Sequence, residues 1–254
     1  MLAFERREKI LSTLYSDKKV FVAPLASTFN VTEETIRRDL EKLEREGVVT
    51  RNYGGAMLNE RTSEDLPYQT RNTINLEEKR IIAQLLPPLI KDGSSIMADT
   101  SSTVYEALQV LQQSKDHLTI ITNSVSILQD FAFSSFDVFS TGGSLRKNSR
   151  SLVGPSAIRS VQQYNVDAAV VSCKGISMTQ GIMDTNEPEA DLKQYMQHQA
   201  RRVILLVDHT KFGAVSLVKT FPFEQVDCLL TNKKPAEEWL DFFEQHGIDV
   251  IFPS

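Results

Sequence analysis

The sequence predicts an α/β protein in two parts, a small helix-rich head over residues 1–58 and a larger body over residues 77–254. In the head, apolar residues recur at helical spacing, whereas from Lys79 onward short apolar runs alternate with helical patterns. Residues 59–76 between them are polar and have no sustained apolar period, which is typical of a linker. Strands that alternate with helices predict a mostly parallel sheet covered by helices.

Composition excludes several classes of protein. Hydrophobic residues make up 41% and charged residues 24% of the 254, as in a soluble globular chain and unlike a disordered or collagen-like one. No apolar run approaches the roughly 20 residues that a membrane helix needs. The opening residues MLAFERREKI mix acids and bases where a signal peptide has an apolar stretch. We therefore expect a cytoplasmic protein with no membrane partner.

The two cysteines, Cys173 and Cys228, are too few for a disulfide framework and lack the spacing of a metal site. We interpret them as ordinary thiols in a reducing compartment rather than as a functional pair. We expect neither a metal nor a cofactor.

Charge is distributed unevenly between the two parts. The head carries ten Lys and Arg against nine Asp and Glu, a net charge of +1, while the remainder carries eighteen against twenty-four, a net charge of −6. The acidic body argues against indiscriminate coating of nucleic acid. The head still permits DNA binding if its basic residues share one face.

Three elements are predicted at the start of the head. They are a helix over Phe4–Tyr15, a short strand over Val20–Val22 and a helix from Pro24 to Phe29. Helical spacing of apolar residues predicts the first helix, and a β-branched and aromatic run predicts the strand. Proline suits the first turn of the second helix.

A third helix is predicted from Glu33 to about Glu46, with Thr32 as its N-cap and Gly47 at its end. Its buried stripe has the spacing i, i+4 and i+7, and comprises Ile36, Leu40 and Leu43. Two strands follow, Val48–Arg51 and Tyr53–Leu58, joined by a turn that contains Gly54 and Gly55.

The predicted order of helix, strand, helix, turn, helix and two-stranded wing is that of a winged helix-turn-helix. A helix of this length fits the major groove of DNA, and arginine side chains bind the phosphates of the DNA backbone. The alternative is a small helical adaptor in which Arg37 and Arg38 lie on a solvated face. The order of the elements favours DNA binding.

Residues Val31–Glu44, which contain the string TIRRDL, resemble the recognition segment of the DeoR family of bacterial transcription regulators. Residues 51–56, RNYGGA, resemble the wing of that family, with tyrosine where histidine is usual. The resemblance implies that Thr35, Arg37 and Arg38 face DNA. The predicted DNA-binding residues are Thr35, Arg37, Arg38, Lys42, Arg51 and Tyr53.

In the body, seven strands and four helices are predicted. The strands are Ser95–Ala98, Leu118–Ile121, Asp137–Ser140, Ala168–Ser172, Val203–Val207, Cys228–Thr231 and Val250–Phe252. The helices are Val104–Leu111, Ser124–Phe131, Pro188–Gln199 and Pro235–Gln245. Pro87 and Pro88 predict a break at Leu86 in the preceding helical pattern.

Polar motifs follow several of these strands, and ligands of open α/β sheets bind beyond the carboxyl ends of the strands. Each motif alone has an ordinary explanation as a helix cap, a turn or a solvated lysine. Their convergence on one sheet edge favours a phosphosugar ligand, because hydroxyls and lysines suit the phosphate and carboxylates suit the sugar hydroxyls. The candidates from this pattern are Asp99, Thr100, Ser101, Ser102, Thr103, Asn123, Gly142, Lys174, Asp184, Asn186, Glu189 and Lys211.

The body also resembles the sensor domain of the DeoR family over most of residues 77–231, a domain similar in fold to ribose-5-phosphate isomerase. The resemblance implies a phosphate loop at Thr100–Thr103 and a functional lysine at Lys211. It also implies ligand contacts from Asn123, Asp184, Asn186, Glu189 and Lys193. Ser101 stands where the family commonly has glycine, and Cys173-Lys174 stands where many members have small or acidic residues.

The sequence therefore favours a transcription regulator with no catalytic residues, a repressor of a carbohydrate operon whose operator affinity is modulated by a phosphorylated sugar. We expect a homodimer or homotetramer, because operators of such heads have two half-sites. The rival interpretation is a sugar-phosphate isomerase or deaminase with an accessory DNA-binding head. In that enzyme Glu189 or Asp184 would be the base and Lys211 the electrophile.

Overall fold

The chain, described by a computed structural model over residues 2–59 and 65–253, divides into two units, Met1–Asn75 and Leu76–Ser254. The order of helices and strands confirms the predicted α/β class with an N-terminal winged helix-turn-helix. Within the described ranges, no helix is both long enough and apolar enough to cross a membrane.

The first unit has the predicted order of helices and strands. Its elements are α1 (Ala3–Asp17), β1 (Lys19–Phe21), α2 (Val22–Phe29), α3 (Glu33–Arg45), β2 (Val49–Asn52), β3 (Gly55–Leu58) and α4 (Tyr68–Arg71). The three strands form an antiparallel sheet in the order β1-β3-β2, so the wing is anchored to the short strand that follows α1.

The predicted helix start and apolar stripe account for the position of α3. The hydroxyl of Thr32 accepts from the N–H of Thr35 at 3.3 Å and caps the helix. Ile36, Leu40 and Leu43 are buried in one core with apolar residues of α1 and α2. Burial of this stripe leaves the opposite side of α3 in solvent.

A glycine is required where the wing meets β1. A Cβ on Gly55 would lie 2.0 Å from the carbonyl oxygen of Val20, far closer than van der Waals contact allows. The pairing of β1 with β3 therefore requires glycine at position 55, because any side chain there would clash with β1.

The predicted linker, residues 59–76, is more structured than its polar composition indicates. Residues 60–64 lie outside the described residues. Beyond them α4 forms, and Leu66 and Ile74 are buried in the core of the first unit. Isolated apolar residues without a period carry no signal of a packed segment, so the sequence pattern did not reveal it.

In the second unit the strands are β4 (Ser95–Ala98), β5 (Thr119–Thr122), β6 (Asp137–Ser140), β7 (Ser144–Arg146), β8 (Ser151–Val153), β9 (Ala168–Ser172), β10 (Gly175–Ser177), β11 (Gly181–Asp184), β12 (Val203–Leu206), β13 (Val218–Phe221), β14 (Cys228–Leu230) and β15 (Asp249–Ile251). Seven of them form one sheet in the order β15-β14-β12-β9-β4-β5-β6, and all pairings in it are parallel. These seven are the predicted strands, within one or two residues at their ends.

The helices of the second unit are α5 (Leu76–Leu85), α6 (Ser102–Ser114), α7 (Val125–Asp130), α8 (Pro155–Val161), α9 (Glu187–His198) and α10 (Glu237–Gln245). Two apolar cores pack against the sheet, one containing α8, α9 and α10 and the other α5 and α6. The predicted break at Leu86 is confirmed, because α5 ends at Leu85 and a 3-10 turn begins at Pro87.

Five short strands and α8 were not predicted. Strands β7 and β8 form a hairpin, and β10, β11 and β13 form a small antiparallel sheet. Each of these strands has only three or four residues. The predicted strands β14 and β15 are as short. The missed strands differ because each has only one or two apolar residues, so none of them forms a continuous apolar run.

Candidate functional site

The polar loops of the second unit meet where the strand order reverses. Strand β4 lies between β9 and β5, so the chain leaves β4 toward one side of the sheet and later returns to the other. Such a switch point opens a crevice at the carboxyl ends of the two central strands. The loop after β4 begins at Asp99, and the loop after β9 begins at Cys173.

Lys193 lies at the centre of this site. Its Nζ donates to the carbonyl oxygen of Ser172 and to Asp184 Oδ2, both at 2.7 Å, and pairs with Asp99 Oδ2 at 3.0 Å. Its side chain is only 6% exposed. Three acceptors match the three protons of an ammonium group, so this cation links β4, β9, β11 and α9.

Burial and charge oppose one another in this cluster. Burial by itself would lower the pKa of Lys193, but Asp184 and Asp99 outweigh it and hold the lysine protonated. Burial raises the pKa of Asp184, with Lys193 acting in the opposite direction. The cluster therefore depends on the Lys193 ammonium, whose loss would leave two buried aspartates without a positive charge beside them.

The predicted phosphate loop, Thr100–Thr103, is buried at the start of α6. Ser101 caps that helix by accepting from the N–H of Val104 at 3.1 Å, and its own N–H donates to Asp99 Oδ1 at 2.9 Å. Thr100 donates its hydroxyl to the carbonyl oxygen of Ser149 at 3.1 Å. The loop is thus held to β4 on one side and to the β7–β8 hairpin on the other.

Glu189 and Asn186 lie together at the start of α9. Asn186 caps the helix through its Oδ1, and its Nδ2 donates to Glu189 Oε2 at 3.1 Å. Ser151 donates its hydroxyl to Glu189 Oε1 at 2.7 Å. Arg146 Nη1 lies 3.6 Å from the same oxygen. The carboxylate of Glu189 is buried and satisfied by neutral donors.

Lys211 approaches from the loop after β12. Its Nζ donates to the carbonyl oxygen of Cys173 at 2.6 Å and lies 3.5 Å from Ser172 Oγ and 3.8 Å from Asp208 Oδ2. Burial would raise the pKa of Asp208, but Lys211 and hydrogen bonds from Thr210 outweigh it, and the pKa is lowered. Lys211 is partly exposed, unlike Lys193.

Asn123 follows β5 and reaches the hairpin. Its Nδ2 donates to the carbonyl oxygen of Leu152 at 3.2 Å, and its buried Oδ1 accepts no hydrogen bond from the described residues. Gly142 lies after β6 at the outer end of the site, and its N–H donates to Ser140 Oγ. Lys174 follows β9, and its backbone N–H donates to the carbonyl oxygen of Met183.

The sequence interpretation missed several polar residues of this site. Arg146, Ser149 and Ser151 belong to the β7–β8 hairpin, and Thr220 of β13 lies 3.4 Å from Asp184 Oδ2. The hairpin strands were not predicted, so these residues had no assigned place at the sheet edge. The one available signal was the glycine pair Gly142-Gly143, which permits the chain to turn back toward the site.

In the first unit, the predicted DNA-binding residues are exposed on α3 and the wing, except for Thr35, which is half-buried. Arg37 pairs with Glu33 at 2.5 Å, and Arg38 pairs with Glu34 at 3.4 Å. The hydroxyl of Thr35 lies 2.9 Å from that of Thr32. These arginines are therefore presented to solvent with a carboxylate beside each of them.

The wing presents two further predicted residues. Arg51 is held by Glu44, which accepts from its N–H at 3.0 Å and from its Nε at 2.8 Å. That contact joins the start of the wing to α3. Tyr53 lies at the turn and is fully exposed, and Lys42 is exposed on α3.

A buried ion pair joins α1 to α3. Asp39 Oδ2 lies 2.5 Å from Arg6 Nε, and Asp39 Oδ1 lies 3.3 Å from Arg7 Nη1. Both Asp39 and Arg6 are buried. Asp39 directly follows the two predicted DNA-binding arginines in sequence, but its side chain faces the core. There it holds α3 against α1.

Comparison with known proteins covers both units. Residues 6–62 match the profile of the DeoR-like helix-turn-helix domain, and residues 74–233 match that of the DeoR C terminal sensor domain. The chain is 35% identical over 233 residues to the uncharacterized HTH-type transcriptional regulator YulB of Bacillus subtilis (strain 168), which covers 91% of this chain and 90% of that protein. It is 31% identical over 248 residues to the HTH-type transcriptional repressor GlcR of the same organism, with coverage of 97% and 95%.

Among solved structures, the chain is similar to ribose 5-phosphate isomerase A from Methanocaldococcus jannaschii. The TM-score is 0.41 at 16% identity, over 54% of this chain and 55% of that one.

Proposed function

The chain belongs to the DeoR family of transcription regulators, and from this membership we propose that it represses a carbohydrate operon under the control of a phosphorylated sugar. It is a regulator and not an enzyme. The observation that carries the proposal for the effector is the cluster of buried hydroxyls, carboxylates and cations at the switch point of the sheet.

The proposed DNA interface is the exposed side of α3 with the wing. Its residues are Thr35, Arg37, Arg38, Lys42, Arg51 and Tyr53. Recognition helices place their N-terminal residues on base edges, which assigns that role to Arg37 and Arg38. The wing residues Arg51 and Tyr53 then contact the sugar–phosphate backbone.

The proposed effector site combines a phosphate subsite with a sugar subsite. Thr100–Thr103 and Lys211 bind the phosphate, through hydroxyls, helix N–H groups and one ammonium. Asn123, Asn186 and Glu189 bind sugar hydroxyls. Asp99, Asp184 and Lys193 form the base of the site, and Lys193 acts by holding the two aspartates because its protons are already shared among three acceptors. Gly142 and Lys174 lie at its rim.

A homodimer or homotetramer in the cytoplasm completes the proposal. Operators for such heads consist of two half-sites, and a closed symmetric oligomer presents two recognition helices to them. The bound sugar phosphate changes operator affinity only if it binds one arrangement of the oligomer better than another.

An Arg38→Ala variant tests the DNA interface. Operators are first selected from random duplexes with the full-length wild-type protein. If Arg38 contacts a base, the variant should lose about 1–3 kcal/mol of binding and its preference at that position; if it contacts phosphate, all sequences should weaken and the salt slope should fall by about one. Arg159→Ala, an exposed arginine of α8, is the control. Gel-shift titration that finds equal affinity for Arg38→Ala and the wild type contradicts the assignment of α3.

A thermal-shift screen of sugar phosphates, each beside its free sugar, tests the effector site. A phosphate ester at 100 times its dissociation constant should stabilise the wild type by about 2.7 kcal/mol. Lys211→Ala should abolish that response, whereas Lys233→Ala, an exposed lysine after β14, should keep it. Wild-type affinity in the Lys211→Ala variant, measured by calorimetry, would remove Lys211 from the site.

A further inference from the structure

The β7–β8 hairpin brings an arginine to the phosphate loop. Arg146 is the last residue of β7, its side chain is 26% exposed, and its Nη1 donates to Ser149 Oγ at 3.1 Å. We propose that Arg146 binds the phosphate group of the effector opposite Lys211 and sets the preference for phosphorylated over free sugars. This inference rests on the proposed function and names a residue that neither the motifs nor the family resemblance had assigned.

The charge of the site calls for a further cation. Asp99, Asp184 and Glu189 are buried there, and Lys193 is already shared between the two aspartates. A phosphate dianion placed among these acids would be repelled unless other cations faced it. Lys211 supplies one positive charge from the β12 side, and a guanidinium on the hairpin side of the phosphate loop would supply another.

Arg146 lies on that side. Thr100 of the phosphate loop donates to the carbonyl oxygen of Ser149, and the hydroxyl of the same serine accepts from Arg146. A single residue therefore separates the guanidinium from the loop. A phosphate on Thr100–Thr103 would have this guanidinium on one side and the Lys211 ammonium on the other.

Glu189 does not depend on Arg146 for a hydrogen bond. Its distance of 3.6 Å to Glu189 Oε1 is longer than a hydrogen bond. Glu189 Oε1 already accepts from Ser151, and Oε2 accepts from Asn186. Loss of the arginine contact therefore costs Glu189 no hydrogen bond.

The position of the hairpin is fixed by its glycine. Gly143 has φ +114°, and a Cβ there would lie 2.6 Å from the carbonyl oxygen of Val153. This close approach holds β7 against the end of β8 and so places Arg146 beside Ser149. Arginine presents a planar fork of N–H donors that matches two phosphate oxygens at once, which a lysine does not.

The test compares Arg146→Met with Lys147→Met in the full-length protein. Lys147 is the next residue and is exposed, so both variants lose one positive charge from the same hairpin. Each is titrated by calorimetry with the sugar phosphate that most stabilises the wild type and with its free sugar. Arg146→Met should weaken the phosphate ester by about 10- to 100-fold and leave the free sugar unchanged, because a hydrogen bond to a charged group is lost. Lys147→Met should bind both as the wild type does.

Other outcomes overturn the inference. Wild-type affinity of Arg146→Met for the phosphate ester, or an equal loss of ester and free sugar, removes Arg146 from the phosphate subsite. If Arg146→Met does not fold, Arg146→Lys replaces it, since that variant keeps the positive charge and loses the planar fork of donors. The measured quantity is again the ratio of the dissociation constants for the free sugar and the phosphate ester. An undiminished preference for the ester contradicts the role of Arg146. A wild type that binds no sugar phosphate of the screen contradicts the proposed function together with this inference.

Discussion

A Lys193→Met variant is expected to lose about 3–5 kcal/mol of stability in the second unit, because removal of one partner leaves buried charges uncompensated. Asp99 and Asp184 are both buried, and Lys193 Nζ is the cation that contacts each of them. Methionine keeps an unbranched apolar stem close in length to that of the lysine, so the loss reports mainly the missing ammonium. Chemical denaturation of the full-length protein measures it.

The penalty should depend on pH in a defined direction. Burial raises the pKa of Asp184 while Lys193 lowers it, so removal of Lys193 raises that pKa further. A folded-state pKa above the unfolded value of about 3.9 means that the protonated carboxyl favours folding at low pH and that this contribution is lost as pH rises. The deficit of Lys193→Met should therefore be smaller at pH 5 than at pH 8. Lys219→Met, an exposed lysine of β13, is the control, and an equal deficit at both pH values contradicts the account.

An Asp39→Ala variant is expected to destabilise the first unit by a similar amount, about 3–5 kcal/mol, because it leaves the buried guanidinium of Arg6 unpaired. The pair holds α1 against α3, so operator binding should fall with stability. Glu34→Ala removes an exposed carboxylate from the same helix and should cost less than about 1 kcal/mol.

A double variant identifies the cause. When Arg6→Met accompanies Asp39→Ala, the only charge left at this contact is that of Arg7, which is partly exposed. The double variant should therefore be more stable than Asp39→Ala alone. If denaturation curves give Asp39→Ala and Glu34→Ala the same free energy of unfolding, the buried ion pair does not hold α3 in place.

The fold was predictable because its main elements carry periodic or continuous apolar patterns. The stripe of Ile36, Leu40 and Leu43 predicts α3, and the seven apolar runs of the body predict the parallel sheet. The β7–β8 hairpin and the small antiparallel sheet were missed, because each of their strands has only one or two apolar residues and so forms no continuous apolar run. The pairing of β13 with β11 also joins segments distant in sequence.

The site was predictable only in part. Parallel strands place their carboxyl ends at one edge, so the sequence alone predicts that Asp99, Asn123 and Lys211 lie at the same edge of the sheet. The sequence cannot distinguish a lysine that is available to a ligand from one whose protons are already shared among buried acids. Nothing in the residues around Lys193 and Lys211 separates the two cases. That distinction depends on the burial of Asp99 and Asp184 around it.

The proposed DNA interface shows the same limit. The string TIRRDL places Arg37, Arg38 and Asp39 side by side, but the helical repeat sends the aspartate into the core and the arginines outward. The glutamate partners of Arg37 and Arg38 lie four residues earlier, at a spacing that sequence does contain. The partner of Asp39 lies in α1, which no local pattern identifies.

The central claim is that one chain reads DNA with its first unit and a phosphorylated sugar with its second. The direct measurement is a gel-shift titration of the full-length protein on duplexes selected from a random pool, in the presence of each sugar phosphate or its free sugar. The account predicts selective binding and a change of at least about fivefold in its dissociation constant with one phosphate ester, but not with the corresponding free sugar. Failure to select any sequence, or an operator affinity that no sugar phosphate alters, would contradict it.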